Sequence, residues 1–200
     1  MLKYNEKTKS PAAIINWRRK LSCYEFSFLE LLATRIDFFY QLLIKWRKPV
    51  FLNEIKMANV SSKDKVLLIG CGILPSETIM IVEETNAKVV TIDNNIVAVK
   101  HAKSFIRRKG LANSITIERA DGINYPVEDF DVIFIAINVW PIDSVLRHLS
   151  TQMKTNARVL CKGIKNDIID VLEKKGLYNV FSVDLASQNP KTQSFLLTKK

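Results

Sequence analysis

The passage from Lys65 to Asp93 constrains the fold of this chain more than any other. Val66-Leu67-Leu68-Ile69 is an unbroken apolar run suited to a strand buried on both faces, and it stops at Gly70-Cys71-Gly72. Glycines at that point let the backbone turn sharply and leave no side chain between it and whatever lies above the strand. Pro75 falls where a first helical position tolerates its fixed φ. Ser76, Glu77 and Thr78 suit the opening turn, and Ile79, Met80 and Val82 continue an apolar side. A second strand, Lys88 to Ile92, ends in Asp93. Strand, glycine turn, helix, strand and acid, with the acid about twenty residues past the glycines, is the order of a nucleotide-type βαβ unit; an ordinary tight βα turn is the bland alternative.

Such a unit puts a ligand at the carboxyl ends of its strands. A carboxylate at the end of the second strand can accept from both hydroxyls of a ribose, which is the role expected of Asp93. The third glycine of a dinucleotide site is replaced by Pro75, and no Gly-Lys-Ser/Thr follows the turn, so NAD and P-loop chemistry are both disfavoured.

These residues resemble the S-adenosylmethionine site of the class I methyltransferases, which carry Gly-x-Gly after the first strand and an acid after the second. Many of those enzymes also have an acid two residues before the first glycine, where this chain has Leu68. The resemblance implies S-adenosylmethionine as cofactor, held by Gly70, Cys71, Gly72, Asp93 and Asn94. It also implies that Asp121 and Gly122, past the third strand, face the adenine, and that Ala136 lies at the end of the fourth. Asp121 equally suits a turn before Gly122. The loop Ile137-Asn138-Val139-Trp140-Pro141 faintly resembles the Asn-Pro-Pro-aromatic loop of amino methyltransferases, at altered spacing. Asn138 and Trp140 are carried over from it as substrate-side residues, with plain packing as the alternative for Trp140.

The remaining elements read as an α/β alternation. A helix over Asn95 to Lys109, with Val97, Ala98, His101, Ala102 and Phe105 inward, precedes a strand from Ser114 to Glu118. Asp131 to Ala136 is a fourth strand, followed by a helix from Ile142 to Leu149, a strand from Ala157 to Lys162 and a helix from Asn166 to Lys175. Val180 to Leu185 and Ser194 to Thr198 have no room for a helix between them and must pair antiparallel. The expected fold is a Rossmann-like, doubly wound, mostly parallel seven-stranded sheet with an antiparallel C-terminal hairpin. Residues 61–200 would form this domain, and residues 1–60 a helical segment before it.

In that segment the pattern is helical from Ala12 to Asn59, with Phe28, Leu31, Leu32, Phe39, Leu42, Leu43 and Trp46 at three- and four-residue steps. Pro49 is expected to end the helix. The apolar stripe reads as core or subunit contact, leaving room for a homodimer through these helices. The alternative is a lid, with Tyr24, Tyr40 and Glu54 as candidates to reach the site. The most apolar part, Phe26 to Trp46, is broken by Glu30, Arg35, Asp37 and Gln41, so no membrane span is expected.

With 48% hydrophobic residues in 200, one sizeable core is expected. The formal charge of +10 would attract an acidic partner, yet the cations are spread along the chain, so nucleic acid is not favoured. Three widely spaced cysteines fit neither a disulfide framework nor zinc, and an N-terminus without an apolar run gives no secretory signal, so a cytoplasmic location is expected. His101 and His148 stand without ligands at metal spacing, so no metal is expected.

Methyl transfer from a sulfonium needs little more than positioning, so the absence of an obvious catalytic acid or base is consistent with a methyltransferase acting on a small, amine-type acceptor. A narrower resemblance joins Gly70-Cys71-Gly72-Ile73-Leu74-Pro75-Ser76, Asp93 and Asp131 to Ala136 with the nicotianamine synthases. These share the fold and an N-terminal helical bundle, and move the aminocarboxypropyl arm of S-adenosylmethionine instead of its methyl. They place a glutamate upstream of the glycine turn to take a proton from the attacking amine, and no position here matches its motif. Arm transfer is therefore the alternative reading, and a basic binding module without catalysis is the third.

Overall fold

The computed structural model describes residues 30–186 and 193–200; Tyr24, Phe28 and the turn between the last two strands lie outside them. Seven strands form one sheet: β1 (Lys65–Ile69), β2 (Lys88–Asp93), β3 (Ile115–Arg119), β4 (Val132–Ile135), β5 (Arg158–Gly163), β6 (Phe181–Ala186) and β7 (Gln193–Lys199). Their order is β3-β2-β1-β4-β5-β7-β6, with β1 to β5 parallel and β7 antiparallel to both neighbours. The strand order reverses at β1, between β2 and β4, and a ligand crevice opens at that point in such sheets.

The apolar runs of β1 and β4 are continuous because each face of the sheet is covered. Val66, Leu68, Val132 and Phe134 point into one core layer, and Leu67, Ile69, Ile133 and Ile135 into the other. The first layer is closed by α1 (Asp37–Met57), α2 (Ser76–Thr85) and α3 (Ile96–Arg108), with Phe51 5.7 Å from Phe134 and Tyr40 5.3 Å from Phe105. Helices α4 (Ile142–Gln152) and α5 (Lys165–Lys174) close the second. No helix joins β3 to β4, which leaves a groove of about 590 Å³ toward the amino ends of β1, β2 and β3, lined by Lys65, Lys88, Thr116, Tyr125 and Phe130 among others.

The sheet domain follows the sequence pattern within a residue or two at each end, except that α4 runs three residues past Leu149; the helical prefix does not. Pro49 lies inside α1 and does not end it. The lost backbone bond is offset by Phe51 and Ile55, which are buried two and six residues further on. The break falls instead at Ile36, whose extended backbone (φ −124°, ψ 110°) separates helical residues 30–35 from α1. The buried side of α1 is Tyr40, Phe51, Glu54 and Ile55; of the stripe read as core or subunit contact, Leu43 packs against the core, whereas Leu42, 55% exposed, and Trp46, 73% exposed, face out. On α3 likewise Val97 is exposed and Val99 and Ile106 take the inner face. Arg158 of β5 fastens the end of α1, donating to the carbonyls of Ala58 and Asn59 and pairing with Asp64 at 2.6 Å. Among the described residues no helix is long and apolar enough to cross a membrane.

Candidate active site

The turn after β1 is built as its two glycines require. Gly70 has φ +92° and Gly72 φ +65°, the left-handed region that glycine occupies without strain. A Cβ on Gly70 would stand 2.8 Å from Val139 Cγ2, and one on Gly72 3.0 Å from Glu30 Oε2. The backbone is therefore bare where the loops after β1 and β4 approach each other. A cavity of about 340 Å³ opens there, at the carboxyl ends of β1 to β4. Gly70, Gly72, Asp93, Asn94, Asp121, Gly122, Ala136, Asn138 and Trp140 all line it. Cys71 does not. Its side chain turns into the core, where burial and the nearby Asp93 charge push the thiol up to about 12.

Asp93 organises the floor. Its Oδ2 accepts from the Gly72 amide at 3.0 Å and its Oδ1 from the Asn95 amide at 2.9 Å, which ties the end of β2 to the glycine turn and to the start of α3. A carboxylate has about four acceptor positions, so about two remain for further donors. Asp121 Oδ1 accepts from the Ile123 amide at 3.1 Å, the turn expected of an aspartate there, while the residue still lines the cavity. Both readings of Asp121 are compatible. Gly122 is close-packed, since a Cβ would fall 2.7 Å from Ile69 Cγ2. At the rim Trp140 is 62% exposed and so stands outside the core.

The residue that sequence reasoning missed is Glu30. It lines the cavity beside Gly72, and Arg47 Nη1 and Nη2 hold its Oε1 at 3.2 and 3.3 Å. Arg47 in turn donates to Ser76 Oγ at 3.2 Å, so the acid is fixed to the first turn of α2. Burial pushes the Glu30 carboxyl above the usual carboxylate range; Arg47 and a backbone bond from Leu74 oppose this and only partly offset it. The available signal was a lone acid inside the apolar run Phe28-Leu29-Glu30-Leu31-Leu32.

Two other candidates fall elsewhere. Tyr40 packs on Phe105, outside the cavity lining, with its hydroxyl pushed up to about 12 by burial and by the charges of Glu83 and Asp37. Glu54 is buried against β5 and β7, accepting from Ser194 at 2.6 Å and pairing with Lys162 at 2.8 Å; Lys162 also pairs with Glu77 at 2.6 Å and sits over the Phe51 ring. Burial raises the Glu54 carboxyl despite Lys162. Burial also opposes the charge on Lys162, and the two carboxylates outweigh it and raise the ammonium. His148 Nε2 lies 2.7 Å from the Tyr125 carbonyl, a structural bond. Among the described residues no group of His, Cys, Asp and Glu could hold a metal ion.

Comparison with known proteins agrees with this architecture. The sequence matches no curated protein. A point mutant of MtNAS superimposes with a TM-score of 0.70 at 17% identity, covering 90% of this chain and 71% of that one. An RNA methyltransferase from Salinibacter ruber, in complex with S-adenosyl-L-homocysteine, superimposes at 0.62 with 18% identity, over 76% of this chain and 91% of that one. Geranyl diphosphate C-methyltransferase from Streptomyces coelicolor A3(2) follows at 0.58 with 8% identity, over 70% and 72%. At such identities the likeness establishes the Rossmann-like methyltransferase fold. The sequence model described as nicotianamine synthase protein matches residues 39–195, well over half of the chain. The chain therefore belongs to the nicotianamine synthase family, and with it to the S-adenosylmethionine-dependent transferases.

Proposed function

We propose that this protein transfers the aminocarboxypropyl arm of S-adenosylmethionine to an amine, with Glu30 as the group that receives the proton. The observation that carries this reading is Glu30 itself: a carboxylate lining the cavity beside the bare glycine turn, fixed by Arg47, and raised toward proton affinity by burial. The family to which the chain belongs uses a glutamate in this capacity, and Glu30 stands upstream of the turn as that glutamate does.

The cavity suits an adenosyl sulfonium on three counts: no Cβ fills the cradle at Gly70 and Gly72, Asp93 lines it with about two acceptor positions beyond its two amide bonds, and Asp121 can accept from an exocyclic amine. S-adenosylmethionine would supply a carbon already activated by its positively charged sulfur. Asp93 holds the ribose, Asp121 favours adenine, and Asn138 and Trp140 border the acceptor side. The acceptor's lone pair forms the new C–N bond, the C–S bond breaks with its electron pair going to sulfur, and the proton leaving nitrogen passes to Glu30. A base above the ordinary carboxylate range takes that proton more readily.

Methyl transfer is the second reading, favoured by the similarity to methyltransferases and by the place of Asn138 after β4. The two reactions leave different nucleosides. Incubation of the purified protein with S-adenosylmethionine and a panel of amines should yield methylthioadenosine; S-adenosylhomocysteine as the sole nucleoside product would replace the first reading with the second.

A further inference from the structure

Helices α1 and α3 cover the same side of the sheet, and their outer faces point away from it together. On α1, Phe38, Leu42, Trp46 and Val50 recur at four-residue steps and form one exposed ridge. An aromatic side chain presents about 150 to 250 Å² when uncovered. Phe38 at 70% and Trp46 at 73% exposure therefore leave roughly 250 Å² of apolar surface in water between them, before Leu42 and Val50 are added. A contiguous ridge of that kind marks a contact surface. Charge lies beside it. The outer residues Lys100, Lys103 and Arg107 of α3 follow at three- and four-residue steps, and Ile96 to Arg108 contains no acid. The two helices meet where Tyr40 packs on Phe105 at 5.3 Å and Lys109 reaches Asp37 at 3.5 Å, so ridge and cations share one face, with Lys45 between Leu42 and Trp46 along α1. The exposed acids of α1, α2 and α3 are Asp37, paired with Lys109, Glu84, paired with Lys48 at 2.6 Å, and Glu83.

Charge and chemistry select the occupant. A second copy would set this face against itself, cation against cation, between molecules that each carry a net +10. Nucleic acid would accept the cations, but Leu42 and Val50 offer no ring face on which a base could stack. The chain before α1 begins on the other side of that helix: Glu30 is held by Arg47, which stands about 180° round α1 from Phe38 at 3.6 residues per turn. An anionic lipid surface matches both features, taking apolar side chains at its acyl boundary and cations at its phosphates. We propose that this face docks on membranes bearing anionic headgroups. Helix α1 lies in the plane of the interface, Phe38, Leu42 and Trp46 enter below the phosphates, and Lys45, Lys100, Lys103 and Arg107 rest on them.

The test mixes the full chain with vesicles of phosphatidylcholine, alone or with added phosphatidylglycerol. It reads co-sedimentation and, in a Trp17→Phe, Trp140→Phe background, the emission of Trp46. The expected result is binding to the anionic vesicles at least about 10-fold tighter than to the neutral ones, weakened by sodium chloride, with a blue shift of Trp46 emission. Leu42→Ser with Trp46→Ser, and separately Lys100→Glu with Lys103→Glu, should each lower binding by about 10-fold or more without lowering Tm. No vesicle binding, equal binding to neutral vesicles, or binding that neither double variant weakens overturns the proposal. Three further results overturn it by naming another occupant. They are RNA that displaces the protein from the anionic vesicles, a dimer in analytical ultracentrifugation that Leu42→Ser with Trp46→Ser dissociates, and Trp46 emission shielded from acrylamide in the lipid-free monomer, which would mean that the chain's own first residues cover the ridge.

Discussion

Replacing Asp93 by alanine separates the structural task of its carboxylate from the ribose contact proposed for it. Two of its acceptor positions take the amides of Gly72 and Asn95, at 3.0 and 2.9 Å, and the residue lines the cavity, where the proposed function gives its other positions to a ribose. Hydrogen bonds to a charged group contribute about 1.5 to 3 kcal/mol, so loss of the ribose contacts should weaken nucleoside binding by roughly 10- to 150-fold. The two orphaned amides belong to a half-exposed turn where water can replace the carboxylate, so the stability cost should be smaller, about 1 to 2 kcal/mol. Asp93→Asn keeps one acceptor oxygen without the charge and should fall between wild type and alanine. Isothermal titration with S-adenosylhomocysteine measures the first quantity and denaturant unfolding the second. Unchanged affinity in a folded Asp93→Ala protein would show that no ribose is held there, whatever the stability result.

Glu30→Gln should lower kcat by roughly 10² to 10⁴ with little change in S-adenosylhomocysteine affinity, and the wild-type rate should fall as pH drops through the raised pKa of Glu30, above the ordinary value of 4.5. Because Glu30 and Glu54 are both raised, the folded protein holds more protons than the unfolded chain just above pH 4.5, so stability should decline as pH rises through that window, visible in Tm against pH. Gly72→Ala puts a side chain at φ +65° and 3.0 Å from Glu30 Oε2; it should cost about 1 to 2 kcal/mol in unfolding experiments and displace the base, lowering turnover more than nucleoside binding. Lys162→Met leaves Glu54 charged and buried among Phe51 and Ser194, at a cost of about 3 to 5 kcal/mol in chemical denaturation, and adding Glu54→Gln should recover part of it.

The sheet domain was legible because each strand is a local signal. Continuous apolar runs at Val66 and Val132 mean burial on both faces, and the glycine turn with Asp93 fixes where the ligand edge lies. Nearly all the residues placed at the site from the resemblance do line one cavity, since they sit directly past strand ends, where chain position dictates spatial position. The helical prefix was less legible because an amphipathic helix can turn either face inward. Trp46 and Leu42 made the more conspicuous stripe, but Phe51 and Ile55 found the partner, Phe134, that only the folded sheet supplies. Glu30 was out of reach for a related reason. It meets Gly72 across more than forty residues of chain, through a helix break at Ile36 that no proline or glycine marks.

The crystal structure of the protein with methylthioadenosine would test the central claim most directly. The account predicts the purine beside Asp121 and Gly122, the ribose hydroxyls on Asp93, and the thioether end directed toward Glu30 and Asn138. A nucleoside seated instead in the groove between Lys88, Thr116, Tyr125 and Phe130, at the other end of the strands, would contradict it.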